Sequence, residues 1–269
     1  MKRIFLKLFF LIFLLISIGC SIENNTKPNI IWIVAEDQSQ YFFPYYGDNT
    51  IELPNINKLL ENGMVYEGMS SPYPVCAPAR SSIITGMYPN SIGTGHMRAY
   101  HYNREVRPES ENLLEFQYYS SKLAEQIKPF TQILRENGYY TTNNSKQDYN
   151  FKLTDDAWDE SSREASWENR NKDQPFFSVF NFGVTHESQI WNRDKQELKV
   201  NPDNIIVPPI FPNDSIARHS LAVNYSNIIE MDRQMGEIID KLIEQDLYKD
   251  SYIFFYSDHG GPFPRHKRA

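Results

Sequence analysis

Five short segments hold residue types that could do chemistry together. Glu36 and Asp37 are adjacent carboxylates, and Cys76 is followed four residues later by Arg80. Lys146 and Asp148 sit close together, His186 stands alone, and Asp258 and His259 come near the C-terminus. Acids drawn from distant segments suit a hard divalent cation with oxygen ligands. Arg80 and Lys146 suit an anionic substrate. A thiol and an imidazole would add a nucleophile and a proton carrier. Each residue also has a plainer reading. Acids after strands often only form turns or caps. A lone cysteine is usually apolar filler. Lys146 could be a solvated charge, and His186 a core histidine bonded to backbone.

The elements that must position these residues are legible as apolar runs. NIIWIVA (29–35) is a continuous β-branched and aromatic run, the pattern of a strand buried on both faces; FFSVFNF (176–182) reads as a buried strand and YIFFY (252–256) as the last strand. Residues 64–69 and 139–142 read as further strands. Helices are predicted over 54–62, 79–85, 129–137 and about 215–245; the last has apolar positions Ile228, Met231, Met235, Ile238 and Leu242 at spacings of three or four. Residues 99–128 and 143–174 are polar and irregular. Strands separated by helices predict an α/β fold, a mostly parallel, doubly wound sheet with helices on both faces. In such a sheet the C-terminal strand ends share one rim, where ligands bind. All five chemical segments follow a predicted strand, so they are expected to converge there.

Composition narrows the classes. The 269 residues are 41% hydrophobic, 23% charged and 14% aromatic, which excludes a disordered or coiled-coil chain. The net charge is −7, and the first 19 residues hold Lys2, Arg3 and Lys7 but no acid; the remainder carries 24 basic and 34 acidic residues. A body this acidic is not a general nucleic-acid binder. The first 15 residues, MKRIFLKLFFLIFLL, have a basic start and an apolar stretch too short to span a bilayer, as a signal peptide does. Residues 1–19 are thus expected to be a signal peptide and 20–28 a polar tether. The residues before Cys20 resemble a bacterial lipoprotein signal, which implies lipidation of Cys20. An exported protein is expected, in the bacterial periplasm or on the outer-membrane surface, held to membrane only through a lipid anchor.

The segment PVCAPARSSIITG (74–86) resembles the sulfatase signature: Cys, a small residue, Pro, Ser or Ala, Arg, two variable residues, an apolar pair, then Thr-Gly. PNIIWIVAED (28–37) resembles the family's first strand and metal-binding acids, with Glu36 where Asp is usual. GYYTTNNSK (138–146) resembles its second signature, with Ser145 in place of Gly, and Asp148 stands where many members have His. SDHG (257–260) resembles the late metal-binding pair, with His259 where Asn is common. The strings SIGTGHMR (91–98), TTNNSKQDYN (141–150), VFNFGVTHESQ (179–189) and MDRQMGEIIDKL (231–242) are most similar to the bacterial heparan N-sulfatase-like branch.

The resemblance implies an alkaline-phosphatase-like catalytic domain over 29–269. It implies that a maturation enzyme oxidises Cys76 to formylglycine, whose hydrate carries the nucleophilic hydroxyl and a second one that later expels sulfate. It implies Ca²⁺, or Mg²⁺, held by Glu36, Asp37, side chain 76, Asp258 and His259. Arg80 would orient the hydrate, Lys146 contact sulfate and His186 protonate the leaving group. Lys267, with Arg268 as alternative, would be a second sulfate contact; His96, Arg98 and Asp148 are further substrate-contact candidates. The expected substrate is a sulfated saccharide, with N-sulfoglucosamine of heparan favoured. A phosphate or phosphonate ester hydrolase on the same scaffold is the alternative within enzymes, and an inactive glycan-binding lipoprotein the alternative outside them. Family members continue past the last strand into a C-terminal subdomain, so the domain is expected to be incomplete at its C-terminus and poorly soluble or weakly active.

Overall fold

The computed structural model describes residues 27–97 and 121–267. The signal segment, Cys20, Arg98 and Arg268 lie outside the described residues.

Five strands form one parallel sheet: β1 (Asn29–Ala35), β2 (Tyr140–Asn144), β3 (Glu160–Ser161), β4 (Phe176–Phe182) and β5 (Ser251–Ser257), in the order β3-β2-β4-β1-β5. Side chains alternate across a strand, and β1 shows why its apolar run is uninterrupted. Ile31, Ile33 and Ala35 face one core, and Ile30, Trp32 and Val34 face the other. The first core is covered by the helix α5 (Ser215–Glu244), whose Leu221, Ile228, Met231, Met235 and Leu242 are fully buried, together with Ile56 of α1 (Pro54–Glu61). The second core packs Ile84 of α2 (Cys76–Thr85) and Phe130 and Leu134 of α3 (Phe130–Glu136) against Phe177 and Val179. Both faces are therefore covered, as predicted. Trp32, Phe130 and Phe177 meet at ring-centroid distances of 5.0–5.2 Å.

Three segments differ from expectation. Residues 143–174, read as irregular, supply the end of β2, the edge strand β3 and the buried Trp158 and Trp167. Residues 64–69 form turns and bends, not a strand, and Met64, Tyr66 and Met69 are more than two-thirds exposed. Their apolar side chains find no sheet face to bury, so they make no strand. The helix predicted from Ala79 starts instead at Cys76. Pro78 does not stop it, because the first-turn amides have no partner inside a helix and proline there loses nothing. Gly86, at φ 66°, ends it by donating its N–H to the Ser82 carbonyl.

β5 is at one edge of the sheet among the described residues, with Ile253 and Phe255 packed on the first core and Tyr252 and Phe254 exposed on the other face. Among the described residues no helix is long and apolar enough to cross a membrane.

Candidate functional site

The site lies over the C-terminal ends of β1, β4 and β5. β1 and β5 pair in register up to Ala35↔Ser257. Glu36–Asp37 and Asp258–His259 therefore leave the sheet side by side. Asp37 makes the turn in the left-handed region, at φ 52°, which a short polar side chain tolerates. Its N–H donates to Asp258 Oδ1 at 3.2 Å. Cys76, on the first turn of α2, completes a buried group: donor atoms of Asp37, Cys76, Asp258 and His259 all lie within 4.8 Å of one another.

The protonation of His259 is set by its neighbours. Nδ1 is 2.9 Å from the Gly260 carbonyl, which can only accept, so Nδ1 carries a proton. Nε2 then faces Asp37 Oδ1 at 3.0 Å, Asp258 Oδ1 at 3.7 Å and Cys76 Sγ at 3.1 Å. Burial disfavours charge on the ring, but the hydrogen bonds to Asp37 and Cys76 outweigh it and push His259 up to about 10. Burial likewise opposes ionisation of Asp37, yet His259 and Lys267 hold its carboxyl well below the usual carboxylate range. Two carboxylates, an imidazole nitrogen with its tautomer fixed and side chain 76 are a donor set that could hold a divalent ion.

This arrangement has a pH signature. In the ion-free chain a raised imidazole stabilises the fold fully below its ordinary value of 6.5. That contribution is lost as pH rises from about 6.5 to about 10. The melting temperature in chelator is expected to fall across that window. Added Ca²⁺ should restore it most at the alkaline end, where the ion no longer competes with a proton. Melts across pH with and without Ca²⁺ read both; parallel profiles would contradict the geometry.

Arg80 returns to the same rim one helical turn after Cys76. It is buried, and its guanidinium meets Asp258 Oδ2 at 3.0 Å, Glu36 Oε1 at 3.1 Å and Asn181 Oδ1 at 2.6 Å. Glu36 lies outside the four-residue donor group: the same Oε1 is also 2.5 Å from Lys146 Nζ. Lys146 contacts Asp148 at 3.6 Å as well. Lys267 reaches Asp37 Oδ2 at 2.7 Å and Glu187 Oε2 at 3.0 Å. Burial works against both ammonium charges, but their carboxylate partners raise each lysine above its ordinary value. His186 lies with Nε2 3.9 Å from Asp37 and Nδ1 2.9 Å from Ser188 Oγ, and is raised first by its hydrogen bond with Cys76. That bond and one from His259 hold the Cys76 thiol below its ordinary value, against the effect of burial. His96 is placed in the loop after residue 92, where its carbonyl accepts from the Asn150 side chain.

The chain was compared with known proteins. The family model for sulfatases matches residues 28–268. The chain belongs to the sulfatase family. A relative from Formosa agariphila, an ulvan-active sulfatase, is 37% identical over 90% of this chain and 45% of its own length. The human N-sulphoglucosamine sulphohydrolase is 21% identical over 89% of this chain and 52% of its own. The chain thus spans about half the length of the curated relatives it matches. Among solved structures, the phosphonate monoester hydrolase of Agrobacterium radiobacter superposes with a TM-score of 0.63 at 13% identity, covering 89% of this chain and 64% of that one. At that identity the likeness concerns fold.

Members of the sulfatase family generally use a metal ion and formylglycine, and Cys76 is the residue of the signature that stands in the donor group. Two polar residues of this sulfatase-family site were not singled out from the sequence. Asn181 holds Arg80 and, through Nδ2, the Asn143 side chain and the Asn144 carbonyl. Its signal was a lone polar residue near the end of the run FFSVFNF. Glu187 donates its backbone N–H to Asp37 Oδ2 at 2.6 Å and pairs with Lys267; nothing local to the sequence marked it.

Proposed function

We propose that this chain carries the catalytic centre of a sulfatase that removes sulfate from a sulfated polysaccharide, with ulvan as the first candidate. The observation that carries this reading is that Cys76, the signature residue, stands within one buried group with Asp37, Asp258 and His259, ringed by Arg80, Lys146, His186 and Lys267. Ulvan ranks before N-sulfoglucosamine because the ulvan-active relative shares 37% identity and the human sulphohydrolase 21%.

Oxidation of Cys76 to formylglycine by a maturation enzyme replaces a poor nucleophile with an oxygen one at the same place. A divalent cation, Ca²⁺ first, would be held by Asp37, Asp258, His259 and side chain 76, and supplies charge neutralisation. The chain's own residues do the rest. Lys146 and Lys267 bind the sulfate oxygens, trading contacts with Glu36 and Asp37 for the substrate. Arg80 acts by holding Asp258 and Glu36 in place. The N-terminus of α2 adds partial positive charge beside the sulfate. His186, whose Nε2 lies 3.9 Å from Asp37, gives a proton to the departing oxygen as the bond to sulfur breaks. The leader and Cys20 add export and lipid anchoring to the reading.

The test is sulfate release by the chain co-expressed with a maturation enzyme, measured on ulvan oligosaccharides, on N-sulfated heparin oligosaccharides and on matched aryl sulfate and phosphonate esters. Release from ulvan oligosaccharides above the others is expected. Faster turnover of the phosphonate ester would hand the site to the alternative chemistry. Binding without turnover of any ester would leave a glycan-binding protein.

A further inference from the structure

A second concavity lies beside the site, on its own elements. Immediately after His186 the chain forms the short helix α4 (Gln189–Asn192), tied back by the Gln189 N–H donating to the His186 carbonyl at 2.8 Å. α4 and the first turns of α5 enclose an open groove of about 430 Å³. Its apolar surface is Ile190, Trp191 and Ile216; its polar rim is Asp194, Ser215, His219 and Ser220. Trp191 is 58% exposed and Ile216 77% exposed. Of the four tryptophans, Trp158 and Trp167 are buried and Trp32 packs among Phe130, Phe177 and Tyr256, so Trp191 alone offers an indole face to solvent.

The chemistry of the lining selects an occupant. An exposed tryptophan beside a ring of hydroxyls and a carboxylate matches a ligand with an apolar face and a polar edge. A pyranose is such a ligand: its axial C–H bonds lie on an indole, and its hydroxyls point to the rim. His219 Nε2 lies 2.9 Å from the Asp194 carbonyl, which only accepts, so Nε2 carries a proton and donates. Asp194 and the serines supply acceptors. Among the described residues no lysine or arginine lines the groove, so it suits the ring of a sugar and not its sulfate. Position agrees as well. Trp191 follows His186 by five residues, at most about 18 Å of extended chain. That separation is within the span of a short oligosaccharide.

We propose that the Trp191 groove is a sugar-binding subsite that holds a pyranose of the polysaccharide away from the sulfate being removed. This rests on the polysaccharide reading above, so the experiment separates the two. The intact chain is titrated with ulvan oligosaccharides and with the same oligosaccharides after chemical desulfation, following tryptophan emission and heat, with sulfate release measured in parallel. Both sets are expected to shift the emission to the blue, and Trp191→Ala to abolish the shift and weaken binding about tenfold. Trp191→Phe, which keeps a smaller ring, should recover part of the affinity. Turnover of a small aryl sulfate should be unchanged in Trp191→Ala, since that ester reaches no further than the cation group. Binding or release that is indifferent to Trp191→Ala overturns the subsite while leaving the sulfatase reading intact. Trp191-dependent binding without release supports the subsite and defeats the sulfatase reading. Failure of both oligosaccharide sets to bind overturns the subsite.

Discussion

Cys76→Ala is expected to abolish sulfate release, with a fall on the order of 10⁴-fold or more, while the chain stays folded. Side chain 76 is the one group at the site that can become a nucleophile carrying its own release step. In the proposed mechanism every other residue there binds, orients or moves protons. Removing a nucleophile while keeping the charges around it leaves only electrostatic catalysis. The fold should tolerate the change, because Cys76 sits at the start of α2, away from the contacts of both hydrophobic cores. Asp37, Asp258 and His259 also remain to hold a cation. Cys76→Ser should be as inactive, since a hydroxyl is not a substrate for thiol oxidation. In the wild-type chain, mass analysis of the Cys76 peptide should show the thiol sulfur replaced by a carbonyl oxygen. A Cys76→Ala enzyme that keeps a few per cent of the rate would end the reading of this residue as nucleophile.

Arg80→Gln is expected to cost stability as much as activity. The guanidinium is buried between Asp258 and Glu36 and accepted by Asn181. Burial disfavours its charge, but Asp258 and Glu36 more than restore it and hold its pKa above the ordinary arginine value. Removing one partner of a buried ion pair leaves the others desolvated and unpaired, a cost of about 3–5 kcal/mol. For a domain of this size that lowers the melting temperature by roughly 6–20 °C. Arg80→Lys keeps the charge but loses the planar fork that meets three acceptors at once, so it should recover part of the stability and little of the rate. Ca²⁺ should narrow the deficit, because it compensates Asp258 directly. Calorimetry of the three proteins with and without Ca²⁺ checks this, and an unchanged melting curve for Arg80→Gln would show that the buried triad is not what holds the rim.

The parts of this molecule that could be read in advance share a cause. NIIWIVA and FFSVFNF have no polar face because helices cover both sides of the sheet, so their runs marked β1 and β4 to the residue. The long helix announced itself by a repeat that matches its own turn. The run at 64–69 misled because apolar residues record what a segment could bury, and here Met64, Tyr66 and Met69 stay exposed.

The site divides along the same line. That Arg80 follows Cys76 by four residues, and that Glu36–Asp37 and Asp258–His259 follow strands, are statements about neighbours in the chain, and the sequence alone determined them. Which carboxylate meets which cation is a statement about segments that touch only after folding. The Ala35↔Ser257 register sets Asp37 against Asp258, and the approach of Lys146 and Arg80 draws Glu36 away from the donor group. Asn181 and Glu187 join through contacts across strands and loops. Charges at this range are decided by fractions of an ångström and by exclusion of water, and only the packed tertiary structure supplies those.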